Sequence, residues 1–354
     1  VENVGVILIG LGAALLAVSH GGAPWGRLVL AGALLHVWNH GAFKSLLFFG
    51  AGSVQHGAGT REMSRLGGLW RTMPWTAWLF GLGVLAVSSL PPLNGFVSEW
   101  LVYLGLFGAV ADRGPAAGAA MLAAIALGMT GALALASFVK AGATMFLGAP
   151  RTQAAARAHE SGWQMRAPMV ALALICAGLG LAPVVVWPAV VRAVGAWQPD
   201  WAAPVGPGPL PTLGLAQVIL AAVIALAGAA LWAKVRANGL RRGLTWDCGY
   251  AAPTTRMQYT GGSFSGIATR WFAWVLRPVV YLRRPRGLFP AGALRRESIP
   301  ETVLERLIAP AADGVMRIST AVRRLQHGRL QAYILYLVAG LVALSSLVLM
   351  GGRP

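Results

Sequence analysis

Long apolar runs, broken by short polar stretches, dominate the chain. Seven runs are read as membrane spans, the first of them short: about Val4–Ser19, Leu28–Val54, Trp75–Phe107, Ala116–Leu147, Ala167–Val194, Leu213–Lys234 and Leu330–Met350. Lengths of 20 or more point to helices rather than the ten-residue alternation of a barrel. The expected fold is all-α: a polytopic transmembrane helix bundle with one discontinuous helix and a C-terminal amphipathic surface helix. The predicted organisation is a six-span bundle over 1–235, a basic segment over 236–329 and a final span over 330–354.

The second run departs from the plain apolar pattern. His36, His40 and Lys44 recur every four residues, which on a helix stacks them along one face. The line they form is about 12 Å long. A lysine at mid-membrane costs about 2.5–3.5 kcal/mol on insertion scales, so its presence calls for a function. The third run is too long for one crossing and contains Pro91-Pro92, followed by Asn94-Gly95. Proline removes a donor and clashes with the preceding turn. The freed carbonyls then need a polar cavity, as in the discontinuous helices of transporters. Glu99 follows this helix break directly. Lys140 lies in the fourth run, nearer one end, where it either joins a polar path or snorkels to the interface. The fifth and sixth runs, rich in Ala and Gly, are predicted to be unbroken packing helices.

Charge orients the spans. Net charge is +18 and only 11% of the 354 residues are charged, against about 25% in soluble proteins. Arginines concentrate in Gln55–Met73, Gly148–Arg166 and Val235–Arg329, the last holding sixteen. The positive-inside rule puts these three loops in the cytoplasm and Trp197–Thr212 outside. The basic residues inside apolar runs and the clustering of the rest in loops argue against nucleic acid as a partner. Two cysteines, Cys176 and Cys248, support neither a disulfide framework nor a thiolate metal site. An i, i+4 histidine pair with no third ligand nearby argues against a metal, and two histidines on one helix cannot face each other across a haem. No cofactor is expected.

The basic segment is read as irregular over Leu240–Thr260, with an amphipathic helix over Ser298–Gln326. Its signals are a capping box at Ser298 and Glu301, Pro300 in the first turn, and a predicted kink at Pro310. A second, shorter surface helix is expected over Gly266–Leu282. His20, His56, His159 and His327 are placed in loops or at the end of the surface helix and receive no role.

A proton path needs groups whose pKa values can be moved towards neutrality, and burial moves lysine down and glutamate up. Lys44 and Glu99 suit the fixed stations; His36 and His40 suit the space between. The segments HVWNHGAFKSLLFFGAGSV, GTREMSRLGGLWRTMP and SSLPPLNGFVSEW, in this order, resemble the antiporter-type membrane subunits of respiratory complex I. With SFVKAGATMFLGAPR and LTWDCGYAAPTTRMQYTGGSFS the resemblance is closer to the large membrane subunit of formate hydrogenlyase and hydrogenase-4 type complexes. It implies that Lys44 is the central lysine of a second half-channel and that His36 and His40 are the histidines preceding it. It also implies that Glu99 is the terminal residue on the broken helix, and that Lys140 is characteristic of the hydrogenase branch. The family's first half-channel has no counterpart here, so the chain is expected to be the C-terminal part of a longer protein. The implied partners are other membrane subunits, a peripheral redox arm and the lipid bilayer of a bacterial inner membrane. Rival readings are a subunit of a multisubunit cation/proton antiporter without a redox arm, and a purely structural membrane subunit.

Overall fold

A computed structural model of the chain describes residues 2–202, 206, 208–239, 249–250, 252, 254–255, 257–263, 265–284, 292, 294–301, 303–323, 328 and 330–351. Cys248, His327, most of LTWDCGY and the end of the expected surface helix lie outside the described residues. Two compact units result, 1–265 and 266–354.

The first unit is a helix bundle built around one long element. Helix α1 (Glu2–Ser19) is followed by α2 (Pro24–Ala58), α3 (Pro74–Val87), α4 (Asn94–Ala111), α5 (Ala117–Phe146), the single turn α6 (Gln153–Ala156), α7 (Trp163–Leu181), α8 (Trp187–Trp197) and α9 (Leu210–Asn238). At 35 residues, α2 is about 52 Å long, well beyond the hydrocarbon thickness of a bilayer. It packs against α1, α3, α4, α7 and α8. Its closest approach is to α4. A Cβ on Gly32 would meet the Val102 amide nitrogen at 2.7 Å, and one on Gly105 would meet that of Val29 at 2.8 Å. Only glycine lets the two backbones come so near.

Among the described residues, six helices are long and apolar enough to cross a membrane: α1, α4, α5, α7, α9 and the later Leu330–Met350. The most central helix, α2, is missing from that set because His36, Asn39, His40 and Lys44 lower its hydropathy. The chain is a multi-pass membrane helix bundle.

The third span is discontinuous, as its prolines predict. Helix α3 stops at Val87 and α4 begins at Asn94. The end of α3 is a Schellman motif: Leu90 N–H donates to the Leu85 carbonyl at 3.1 Å and Ser89 N–H to that of Ala86 at 3.2 Å. This motif usually puts glycine at the left-handed position. Here Ser89 occupies it, at φ 50°, at a cost on the order of 1 kcal/mol.

The fifth span is not the unbroken helix expected from its composition. It divides into α7 and α8, joined by a short 3-10 turn over Pro183–Val186. Pro183 has no N–H to continue the ladder, and Ala182 before it leaves the helical region, at φ −130° and ψ 60°. The bundle thus has two broken elements where one was expected.

The loops Gln55–Met73 and Gly148–Arg166 meet at one end. Glu160 caps the first turn of α3, accepting from the Trp75 amide at 2.8 Å and from the Thr76 amide at 3.3 Å, and it also accepts from the Thr76 hydroxyl. The fully buried Ser53 and Ser161 hydroxyls complete this cluster. His56, expected in a loop, lies in the last turn of α2. At the other end, Trp201 Nε1 donates to the Gly22 carbonyl at 3.2 Å.

The second unit corrects two expectations. Ser298 does not cap a helix. It ends strand β2 (Leu294–Ser298), which pairs antiparallel with β1 (Val279–Arg283). The expected helix over Gly266–Leu282 is reduced to α10 (Ser265–Trp271) and α11 (Ala273–Leu276). Pro278 removes a helical donor, and the β-branched Val279 and Val280 then favour the strand. The surface helix is a π-turn over Leu304–Ile308 running into α12 (Ala309–Arg323). The wider turn falls just before Pro310, where the missing N–H interrupts the i→i−4 ladder. The last helix is α13 (Leu330–Gly351).

Candidate functional site

The break between α3 and α4 faces the middle of α2. Two apolar cores meet there. One gathers Val29–Leu35 of α2 with Val97–Leu106 of α4; the other gathers Ala42–Ala58 of α2 with Phe80–Val87 of α3 and Leu93. Polar side chains fill the seam between them. Asn39 Nδ2 donates to the Asn94 carbonyl at 2.8 Å and to Ser98 Oγ at 3.0 Å, and Asn94 Nδ2 donates back to Asn39 Oδ1 at 3.1 Å. This reciprocal pair ties α2 to the start of α4, so the broken helix is held by side chains where its backbone has none to offer.

His36 is the centre of the cluster and is 0% exposed. Its Nδ1 pairs with Ser98 Oγ at 3.0 Å and its Nε2 with Asn3 Oδ1 at 3.1 Å. Ser98 Oγ also lies 3.1 Å from the Gly95 carbonyl. The serine has one hydroxyl hydrogen to place. If it goes to Gly95, His36 Nδ1 carries the hydrogen shared with Ser98, and the Asn3 amide turns its NH₂ to Nε2. If it goes to His36 Nδ1, then Nε2 carries the hydrogen and donates to Asn3 Oδ1. With the Ser98 hydroxyl and the Asn3 amide turned to match, either tautomer of His36 keeps both ring nitrogens paired, so a proton can arrive at one nitrogen and leave from the other, as a histidine relay requires.

The predicted line of His36, His40 and Lys44 is twisted. Each step of four residues turns about 40° around the helix, so Lys44 points about 80° away from His36. His36 faces α1 and α4. Lys44 is half-buried and faces α5, its Nζ 5.0 Å from the Phe138 ring centroid. The Phe43 ring lies edge-on to both histidines, at 6.0 Å from His36 and 5.7 Å from His40. Glu99 is 7% exposed, next to Ser98 in α4. Ser89 lies near its carboxylate, outside standard hydrogen-bond geometry. Lys140 stands apart from the seam. Its Nζ donates to the Gly261 carbonyl at 3.0 Å, near the arginine-rich end.

Sequence reasoning missed Glu2, Asn3, Asn39, Asn94 and Ser98. Glu2 of α1 is within electrostatic reach of both Lys44 and Glu99. The signal for the amides was present. Asn39 falls three residues after His36, and Ser98 four after Asn94, the spacings that share a helix face. Among the described residues no three of His, Cys, Asp and Glu gather as metal ligands would.

Residues 10–113, which include the seam and both halves of the broken helix, match the family model described as NADH:quinone oxidoreductase/Mrp antiporter, transmembrane. The chain is 34% identical to Hydrogenase-4 component B of Escherichia coli (strain K12), over 97% of this chain and 53% of that protein. It is 36% identical to Formate hydrogenlyase subunit 3 of the same organism, over 82% of this chain and 47% of that one. The chain thus spans about half the length of the curated relatives it matches. In fold it is similar to a chain of the membrane-bound sulfane sulfur reductase, an archaeal respiratory membrane complex. That similarity has a TM-score of 0.58 at 20% identity, over 98% of this chain and 55% of that one. The resemblance to the antiporter-like subunits of hydrogenase-4 and formate hydrogenlyase, first drawn on sequence motifs, holds over nearly the whole chain.

Proposed function

We propose that this chain carries a proton-conducting half-channel of an antiporter-like subunit in a membrane-bound oxidoreductase of the hydrogenase-4, formate hydrogenlyase or NADH:quinone oxidoreductase type. The observation that carries this reading is the buried seam. It joins a broken helix, a fully buried histidine with both ring nitrogens engaged and the buried Glu99, with Lys44 two turns further along α2. A purely structural bundle has little use for so many costly groups within apolar spans.

In this reading Lys44 and Glu99 are stations whose charge states are coupled, with Glu2 between them in electrostatic terms. His36 and His40 relay between stations, and Ser98 turns to keep His36 Nδ1 paired in either tautomer. The Pro91-Pro92 break keeps the backbone near Glu99 polar enough to admit water. The chain transfers no electrons. It works beside other membrane subunits and a peripheral redox arm, in a bacterial inner membrane, with the arginine-rich end facing the cytoplasm.

The test uses the intact complex in proteoliposomes, with an electron donor and a pH-sensitive dye in the lumen. Lys44→Ala and Glu99→Gln should leave assembly intact and cut donor-driven proton flux about a hundredfold, the scale of losing a proton-transfer group. Assembled variants that pump at the unmutated ratio refute the proposal. Sodium-dependent proton flux without any electron donor would instead identify a cation exchanger.

A further inference from the structure

The second break, between α7 and α8, lies beside a polar group that the seam does not use. Gln217 of α9 is 2% exposed, yet neither its amide oxygen nor its amide nitrogen has a hydrogen-bond partner. A buried amide with both ends unpaired is costly, and native structures rarely keep one.

The packing of α9 fixes where this amide stands. Leu210 shares its apolar core with Val186 and Trp187. One turn on, a Cβ on Gly214 would lie 3.1 Å from the Leu181 carbonyl oxygen and 3.3 Å from Pro183 Cδ. The contacts of α9 therefore step backwards along the preceding span. Gln217 follows Gly214 by three residues, on the same helix face and about 4.5 Å further along. That brings it level with the last turn of α7.

This turn has a carbonyl to spare. Ala182 N–H donates to the Gly178 carbonyl at 2.9 Å and Val185 N–H to the Ala182 carbonyl at 3.2 Å. The donor due to the Leu179 carbonyl would be Pro183, which has no N–H. In membrane helices, groups freed by proline are satisfied by neighbouring side chains or by ordered water.

The chemistry of the two groups selects the ligand. A metal cation would satisfy Gln217 Oε1 and the Leu179 carbonyl and leave Nε2 without an acceptor. An anion would satisfy Nε2 and leave both oxygens without a donor. Water accepts from Nε2 and donates to either oxygen, so it alone of the three serves all of them.

We propose that the second break is a buried water site whose ligands are the Gln217 amide and the Leu179 carbonyl. The bound water closes the open end of α7. That end also backs the first break: a Cβ on Gly180 would collide with the Pro92 carbonyl and come within 2.8 Å of Leu93 Cα. The two breaks thus touch through their backbones, and the water holds the one that buttresses the other. Water binds here whether or not the seam conducts protons.

The test takes two readouts from the intact, detergent-extracted complex. The first is X-ray hydroxyl-radical footprinting, which oxidises side chains beside bound water. Pro183 is buried, so water inside the bundle is what labels it. On rates normalised to intrinsic reactivity, Pro183 should be oxidised well above the core residues Leu101 and Leu127, which are 0% and 1% exposed. In Gln217→Leu that excess should be lost. The second readout is the sign of the shift in the thermal midpoint. With water bound, Gln217→Leu strips it of its ligand and lowers the midpoint, while Gln217→Asn, which keeps an amide, stays nearer the parent. A dry amide gives the opposite sign, because Gln217→Leu then removes an unpaired group and raises the midpoint. A raised midpoint, or Pro183 labelled no faster than Leu101 and Leu127, would overturn the water site. Footprinting of the unmutated complex decides the matter even where Gln217→Leu does not assemble.

Discussion

Replacing Ser98 by alanine removes one oxygen and breaks the seam at its middle. The hydroxyl accepts from Asn39 Nδ2 at 3.0 Å and pairs with His36 Nδ1 at 3.0 Å. Both partners are buried, His36 at 0% and Asn39 at 1% exposure. Asn39 keeps its bond to the Asn94 carbonyl, but His36 Nδ1 is left without a partner. In water-soluble cores such an orphan costs about 1–3 kcal/mol. In membrane bundles the unfolded reference also finds partners, and measured values average about 0.6 and reach about 1.7 kcal/mol per bond. Two bonds then put the expected loss at roughly 1–3 kcal/mol. The unfolding midpoint of the detergent-extracted complex should fall accordingly, and Ser98→Thr, which keeps the hydroxyl, should restore most of it. Function should separate from stability. At temperatures where Ser98→Ala remains assembled, proton flux per electron pair should drop, because His36 Nδ1 loses the partner that pairs with it in either tautomer. An assembled Ser98→Ala complex with the parent midpoint and the parent ratio would refute the assigned network.

Two further substitutions probe the scaffold alone. Glu160→Ala removes the carboxylate cap of α3 and leaves the buried Thr76 hydroxyl with Ser53 as its partner; it should cost about 1–2 kcal/mol in thermal unfolding while proton stoichiometry stays at the parent value. Gly105→Ala drives a methyl against Val29 at the α2–α4 contact. Overpacking of this kind costs about 1–3 kcal/mol, so the yield of assembled complex, read by native gel, should fall.

The membrane character, the helical class and the broken third span were all legible in the sequence. Each depends on local chemistry: the length of apolar runs, the missing donor of Pro91 and Pro92, and the cost of a lysine among leucines. Lys44, Glu99 and His36 could be singled out for the same reason, since an ionisable group in an apolar run is conspicuous by itself. What tertiary structure decided is which of these groups meet, and through what. Asn3, Asn39, Asn94 and Ser98 are ordinary polar residues until three helices bring them around one imidazole. Four-residue spacing suggested a straight polar line, yet the 100° turn per residue carries Lys44 round to α5 and away from His36. The second break, at Ala182 and Pro183, and the strand pair β1–β2 were missed because hydrophobic content alone cannot place an interruption inside an apolar run or a strand after Pro278. Lys140 shows the division best. Its charge was visible in the sequence, but its partner is a backbone carbonyl 121 residues away, and a carbonyl, present at every position, leaves no mark in a sequence.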